Sequence, residues 1–191
     1  PWAEDTIVNV WSSTKNMTSL CAFILADQGE LDFNSPVSKY WPEFSANGKS
    51  EILVSQIMSH SSGLSGWNEP ISYKDYYDWG KMVDLLAAQE PLWEPGSAVG
   101  YHSITVGFLV GEVIKRITGK SLGDFFKEEI ADPLNSDFHI GLDPEEFDRV
   151  AEIYMPGDPS TAGMTEDMAD GSVAKKTMGN GVLNPSCALE K

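Results

Sequence analysis

Cysteine is nearly missing from this chain: Cys21 and Cys187 are the only two in 191 residues, far apart and without C-x-x-C spacing. That excludes a disulfide framework and a zinc site built on thiolates. Cys21 lies on an apolar helical face and reads as a small core residue. Basic residues are scarce as well: 13 Lys and Arg stand against 29 Asp and Glu, a formal net charge of −16, with the acidic residues spread along the chain. Such a surface repels phosphate backbones, so no nucleic acid partner is expected and solubility accounts for the charge. No apolar run approaches the ~18 to 20 residues needed to cross a bilayer, so no transmembrane segment is expected, and the stretch at hand holds no signal peptide. A soluble protein is expected, cytoplasmic or exported. The histidines His60, His102 and His139 show no spacing for a metal site or a triad, and no G-x-S-x-G elbow occurs. No metal or organic cofactor is implied, and no internal repeat is recognisable.

The stretch Val8-Asn9-Val10-Trp11-Ser12-Ser13-Thr14-Lys15 carries chemistry. It runs from a short β-like segment into a helix and sets Ser12 three residues before Lys15. On a helix those two positions share a face, so the lysine amine reaches the hydroxyl. A serine hydroxyl is a poor nucleophile until its proton is taken, and a lysine takes it when burial or nearby positive charge lowers its pKa. The positive end of the helix dipole acts in that direction and favours an oxyanion beside the Ser12 N–H. The pattern is short, however, and Ser172-Val173-Ala174-Lys175 also matches it. That second match lies in a Gly-, Met- and Asp-rich stretch with no strand before it and a weak helical pattern after it, so context favours Ser12.

Behind Ser12, Met17, Leu20, Cys21, Ile24 and Leu25 recur at helical spacing, with Phe23 and Ala26 widening the apolar face and Gly29 as a stop. This predicts a helix buried in the middle of the domain. Residues 30 to 50 are rich in breakers and read as loop with a short helix near Val37 to Trp41. Ser55 is a candidate N-cap for a short helix ending near His60, and the turn Ser61-Ser62-Gly63-Leu64 follows. His60 itself reads as a structural, hydrogen-bonded residue rather than a catalytic imidazole. From Trp67 to Trp93 the chain is aromatic and acidic, with a helix expected from Tyr76 to Gln89; the aromatics fit a substrate cleft and core packing equally well.

Pro95-Gly96 turns the chain into Tyr101-His102-Ser103, and a strongly apolar helix on Ile104, Phe108, Leu109, Val113 and Ile117 runs to Gly119. Ser121 with Asp124 resembles a capping box for a helix from Leu122 to Ala131, ended by Asp132-Pro133. Phe138-His139-Ile140 is a candidate strand. Residues 156 to 187 read as a long irregular segment.

With Ser12-x-x-Lys15, the turn His60-Ser61-Ser62-Gly63-Leu64, and Pro95-Gly96 leading to Tyr101-x-Ser103, the chain resembles the serine β-lactamase and penicillin-binding-protein superfamily. Within it the chain looks most like the β-lactamase-related, family VIII carboxylesterases. The resemblance implies an α/β fold of the β-lactamase/transpeptidase type, a helical region packed on an antiparallel sheet. It implies a serine hydrolase acting on a small-molecule ester or amide: Ser12 forms an acyl-enzyme, Lys15 takes its proton, and Tyr101 shares in proton transfer to the leaving group and from the hydrolytic water. Ser103 stands where class C β-lactamases carry Asn in Y-x-N and is expected to contact substrate or orient Lys15. That departure favours short acyl esters over the alternatives, a β-lactamase or a D,D-peptidase or D-aminopeptidase.

The family's third motif, a C-terminal strand of K-T-G or Gly-rich type, is not found; Lys176-Thr177-Met178-Gly179 is a near miss without a strand pattern. The chain is therefore expected to be a mostly helical fragment: residues 1–155 a partial β-lactamase-like domain, residues 156–191 an irregular segment, and the domain continuing beyond it. A truncated or binding homologue without turnover is the reading from another class. The isolated 191-residue chain is expected to show little or no ester hydrolysis, because losing one oxyanion donor alone costs ~10²–10³ in rate. Turnover of an aryl ester close to that of a longer form would contradict this.

Overall fold

The structure, a computed structural model, describes residues 2–153 and 171–178. Six α-helices carry the architecture of this part: α1 (Thr14–Asp27), α2 (Val54–Met58), α3 (Trp79–Ala88), α4 (Thr105–Thr118), α5 (Leu122–Phe126) and α6 (Val173–Met178). Short 3₁₀ turns punctuate the connections, among them Trp11–Ser13 directly before α1. Among the described residues, β pairing amounts to two isolated bridges, Ile7 with Val150 in parallel and Pro36 with Leu53 in antiparallel sense.

α4 is the centre of the core. From Thr105 to Ile114 it buries nine residues, and it packs against α1, α2, α3 and α5. The central position expected for α1 belongs to α4, because α1 is buried along one stripe, Thr18, Cys21, Ala22 and Leu25, while Leu20 and Phe23 stay exposed. Phe23 meets Phe33 edge-on at 5.3 Å. α1 stops at Asp27, two residues ahead of Gly29, and α4 ends at Gly119 with φ +73°.

Several boundaries differ from the sequence reading for local reasons. α2 begins at Val54 with Leu53 as its N-cap residue, not Ser55, and the Gln56 side-chain oxygen accepts the Leu53 N–H at 2.8 Å. The helix expected from Tyr76 divides at Asp78, whose carboxylate accepts the Lys81 N–H at 3.0 Å and so starts α3 at Trp79. α5 gives way to a π turn, Lys127–Ala131, closed by Asp132 N–H on the Lys127 carbonyl at 2.8 Å. Phe138-His139-Ile140 is not a strand; Phe138 instead packs its ring 5.5 Å from that of Phe126. Within the segment read as irregular, 173–178 is helical, and 154–170 and 179–191 lie outside the described residues.

The aromatic stretch resolves toward packing for three of its members. Trp67, Tyr76 and Trp79 cluster around Phe108 of α4 at ring distances of 5.7, 6.5 and 5.0 Å. Trp79 also donates its indole N–H to Glu112, whose other oxygen accepts from Arg116, each at 2.7 Å. This gives the buried Glu112 carboxylate a partner on both oxygens. Lys49, fully buried, donates to the carbonyls of Ala46 and Gln89 at 2.7 and 2.5 Å, and burial pushes its amine down to about 8.

Because Leu109 is completely enclosed at the middle of α4, Leu109→Ala is expected to cost about 2–5 kcal/mol of stability. Urea unfolding of the two proteins measures it, and a loss well below that range would place the core elsewhere.

Candidate active site

Two segments meet at Ser12. Its own 3₁₀ turn is set by Trp11, which adopts φ +49° and whose N–H is held by the Asn9 side-chain oxygen at 2.8 Å. A left-handed backbone at an aromatic residue is strained, and here it lies immediately before the serine. α1 then starts at Thr14 and brings Lys15 back over the turn, with Nζ donating to Ser12 Oγ at 3.2 Å. From the other side, the loop before α4 delivers Tyr101, whose hydroxyl donates to the same Oγ at 2.7 Å across 89 residues of sequence. The Lys15 ammonium sits 5.0 Å from the centre of the Tyr101 ring.

The electrostatics follow from these contacts. A hydrogen bond that Ser12 can donate to the ionised phenolate, with the Lys15 charge alongside, holds the Tyr101 phenol below its ordinary range. Ser12 is exposed, Tyr101 is 48% exposed and Lys15 is half-buried, so the hydroxyl faces outward while the amine approaches it from the protein side. A cavity of about 170 Å³ lies behind the amine, lined among others by Lys15, Thr18, Met58, His60 and Val106. A larger cavity of about 450 Å³ separates residues 6–10 from residues 137–142, and Ser12, Lys15 and Tyr101 do not line it.

Of the four site residues read from the sequence, Ser12, Lys15 and Tyr101 converge on one oxygen. Ser103 is half-buried, its N–H donates to the Tyr101 carbonyl at 2.9 Å, and among the described residues it makes no hydrogen bond to Lys15. The second S-x-x-K match behaves differently: Ser172 Oγ accepts the Lys175 N–H at 3.1 Å, a helix cap rather than an amine-to-hydroxyl contact. Lys176 and Thr177, of the near-miss third motif, are helical and engage Asn68 and Ser65 at 2.8 and 2.6 Å. Gly179 lies outside the described residues.

Sequence spacing missed a histidine network under Tyr101. His60, at φ +64°, accepts the His102 N–H on Nδ1 at 3.1 Å, and its ring meets Tyr101 at 4.9 Å. His102 is fully buried, with Nδ1 2.6 Å from the Gly100 carbonyl and Nε2 2.8 Å from Ser62 Oγ. A carbonyl only accepts, so Nδ1 carries the proton, and in the neutral ring Nε2 accepts from Ser62. No local motif reports a partner 40 residues away.

The chain matches the family described as Beta-lactamase over residues 1–183 and belongs to it. It is 41% identical over 160 residues to Esterase/beta-lactamase LipL of Mycobacterium tuberculosis, an alignment covering 83% of this chain and 37% of that protein. Among solved structures, a family VIII carboxylesterase superposes with a TM-score of 0.79 at 46% identity, over 81% of this chain and 43% of that one. A penicillin-binding protein homologue from Caulobacter crescentus gives 0.78 at 38% identity, over 83% and 43%. The fold neighbours are thus of the β-lactamase type, and the chain spans less than half the length of these relatives. Among the described residues no helix is long and apolar enough to cross a membrane.

Burial pushes the His102 imidazole down to about 4. The unfolded chain takes up that proton near the ordinary value of about 6.5, so between the two values the unfolded state binds more protons and stability falls as pH drops, by roughly 3 kcal/mol once the pH is below both. Urea unfolding at pH 7 and pH 4 should show this component in the wild type and a smaller drop in His102→Asn. An equal drop in both would mean that His102 titrates normally.

Proposed function

We propose that this chain carries the nucleophile region of a serine carboxylesterase acting on short acyl esters. The observation that carries the reading is the shared oxygen: Ser12 Oγ lies within hydrogen-bond reach of both Lys15 Nζ and Tyr101 OH. With Lys15 as the neutral amine accepting from the Ser12 O–H, Ser12 Oγ attacks the ester carbonyl carbon as its proton passes to Lys15 Nζ, and the carbonyl electron pair moves onto oxygen. The Ser12 N–H, near the positive end of α1, is one donor to that oxyanion. Collapse of the tetrahedral species breaks the bond to the alkoxide, which takes a proton through Tyr101, leaving acyl-Ser12. Water then attacks the acyl carbon, giving up a proton to the Tyr101–Lys15 pair, and Ser12 leaves with a proton restored.

Ser103 is assigned to substrate contact, since it follows Tyr101 in the same loop. The helical region is assigned to one layer of an α/β fold whose antiparallel sheet packs against it, and the domain to residues 1–155 and onward. Support for the ester comes from the esterase names of similar proteins and from Ser103 in place of the Asn of Y-x-N. A β-lactamase or D-amino-acid peptidase uses the same groups on an amide. The name of LipL, which joins esterase and beta-lactamase, keeps that second reading in play.

An aryl butyrate and a chromogenic cephalosporin, compared by kcat/KM on the intact protein, separate the two. The ester is expected to be favoured, and a fluorophosphonate to label Ser12. Ser12→Ala should abolish labelling, and Tyr101→Phe should lower kcat by about 10²–10⁴-fold. Labelling elsewhere, or ester turnover that survives Ser12→Ala, would overturn the proposal.

A further inference from the structure

Tyr101 is a half-exposed residue on a loop, yet its hydroxyl must stay on Ser12 to within a few tenths of an ångström. The side chain itself has few constraints: the ring edge contact to His60 at 4.9 Å and the Lys15 ammonium at 5.0 Å. The backbone on either side is fixed instead. Gly100 N–H donates to the His60 carbonyl at 3.0 Å, and His102 N–H donates to the His60 ring at 3.1 Å. The Gly100 carbonyl accepts from His102 Nδ1 at 2.6 Å, and the Tyr101 carbonyl accepts from Ser103 N–H at 2.9 Å. His102 reaches on to Ser62, a fully buried hydroxyl in the turn after His60. Thr105, at the start of α4, closes the same seam by donating to the Leu64 carbonyl at 2.6 Å. Gly100 leaves no room for slack, since a Cβ there would lie 2.5 Å from the Trp93 ring.

We infer that His102 is a positioning residue, its buried imidazole locking the Gly100–Ser103 loop onto the Ser61–Gly63 turn and thereby holding the Tyr101 hydroxyl on Ser12. The inference rests on the proposed role of Tyr101, but the geometry it describes stands apart from turnover. The groups facing His102 are the Ser62 hydroxyl, the Gly100 carbonyl, the His60 ring at 5.4 Å and the Trp93 ring at 6.1 Å. Lys15 faces it only through His60, on whose ring burial and the Lys15 charge both disfavour a proton. The His102 ring is thus held by neutral partners, and His60 must stay unprotonated at Nδ1 to accept the His102 N–H. His102 touches no atom proposed to react; it acts through the loop backbone.

Two measurements on the intact protein test this. Tyrosine labelled with ¹³C at Cζ, with the Tyr101 signal assigned by Tyr101→Phe, reports the phenol directly. It should titrate below the ordinary value of about 10 in the wild type and move up to or past it in His102→Asn. Steady-state hydrolysis of an aryl butyrate gives the second readout. His102→Asn should lower kcat by about tenfold to a hundredfold with little change in KM, as expected for a misplaced catalytic group. In a Tyr101→Phe background the same substitution should change kcat by no more than about twofold, because the hydroxyl it positions is gone. An unmoved Tyr101 titration, or an equal kcat loss in both backgrounds, would overturn the inference. If His102→Asn does not fold, Ser62→Ala removes the far end of the same link and is held to the same outcomes. If the wild type in its longer form turns over no ester, the functional proposal fails while the tyrosine titration still judges the positioning.

Discussion

The packing of α1 against α4 is the constraint on which the site depends. Ser12 stands two residues before α1 and Tyr101 four residues before α4. Where those two helix starts lie relative to each other therefore sets whether a lysine, a serine and a tyrosine meet at one oxygen. α1 contributes a narrow stripe with small side chains, Thr18, Cys21 and Ala22, which permits a close approach, and α4 is buried over most of its length. Two rigid helices buried against each other fix their ends far better than two surface loops would.

Around that constraint the polar groups are arranged so that burial does not leave them unpaired. Glu112 has Trp79 and Arg116, Lys49 has two carbonyls, and His102 has Gly100 and Ser62. The same desolvation that would penalise a lone polar group makes each of these links stiff once satisfied. The consequence is clearest at Tyr101, where a histidine that does not touch Ser12 fixes the loop that does.

The Ser12–Lys15 region was legible because its information is local. Ser12 and Lys15 are three residues apart where a 3₁₀ turn runs into α1, so their meeting follows from that local stretch. The apolar helix after Tyr101 likewise announced itself by spacing, down to Gly119. Local pattern was less reliable where a side chain competed for the backbone: Asp78 divided the helix expected from Tyr76, and Gln56 displaced the cap from Ser55 to Leu53. It also failed for Phe138-His139-Ile140, whose apolar alternation serves a contact with Phe126 rather than a strand. The two S-x-x-K matches make the point chemically, since Ser172 spends its oxygen on a backbone N–H while Ser12 keeps its own for two side chains.

The amino-acid sequence by itself determined the family, the turn-to-helix junction that carries Ser12 and Lys15, and the acidic, cysteine-poor composition, because composition and i-to-i+3 spacing are properties of a chain before it folds. Only the tertiary structure decided that α4 and not α1 occupies the centre, that Tyr101 reaches Ser12 across 89 residues, and that His102 finds Ser62 across 40. Those contacts depend on which helix faces pack together. Packing is settled by the shapes of many side chains at once, so no short motif can record it.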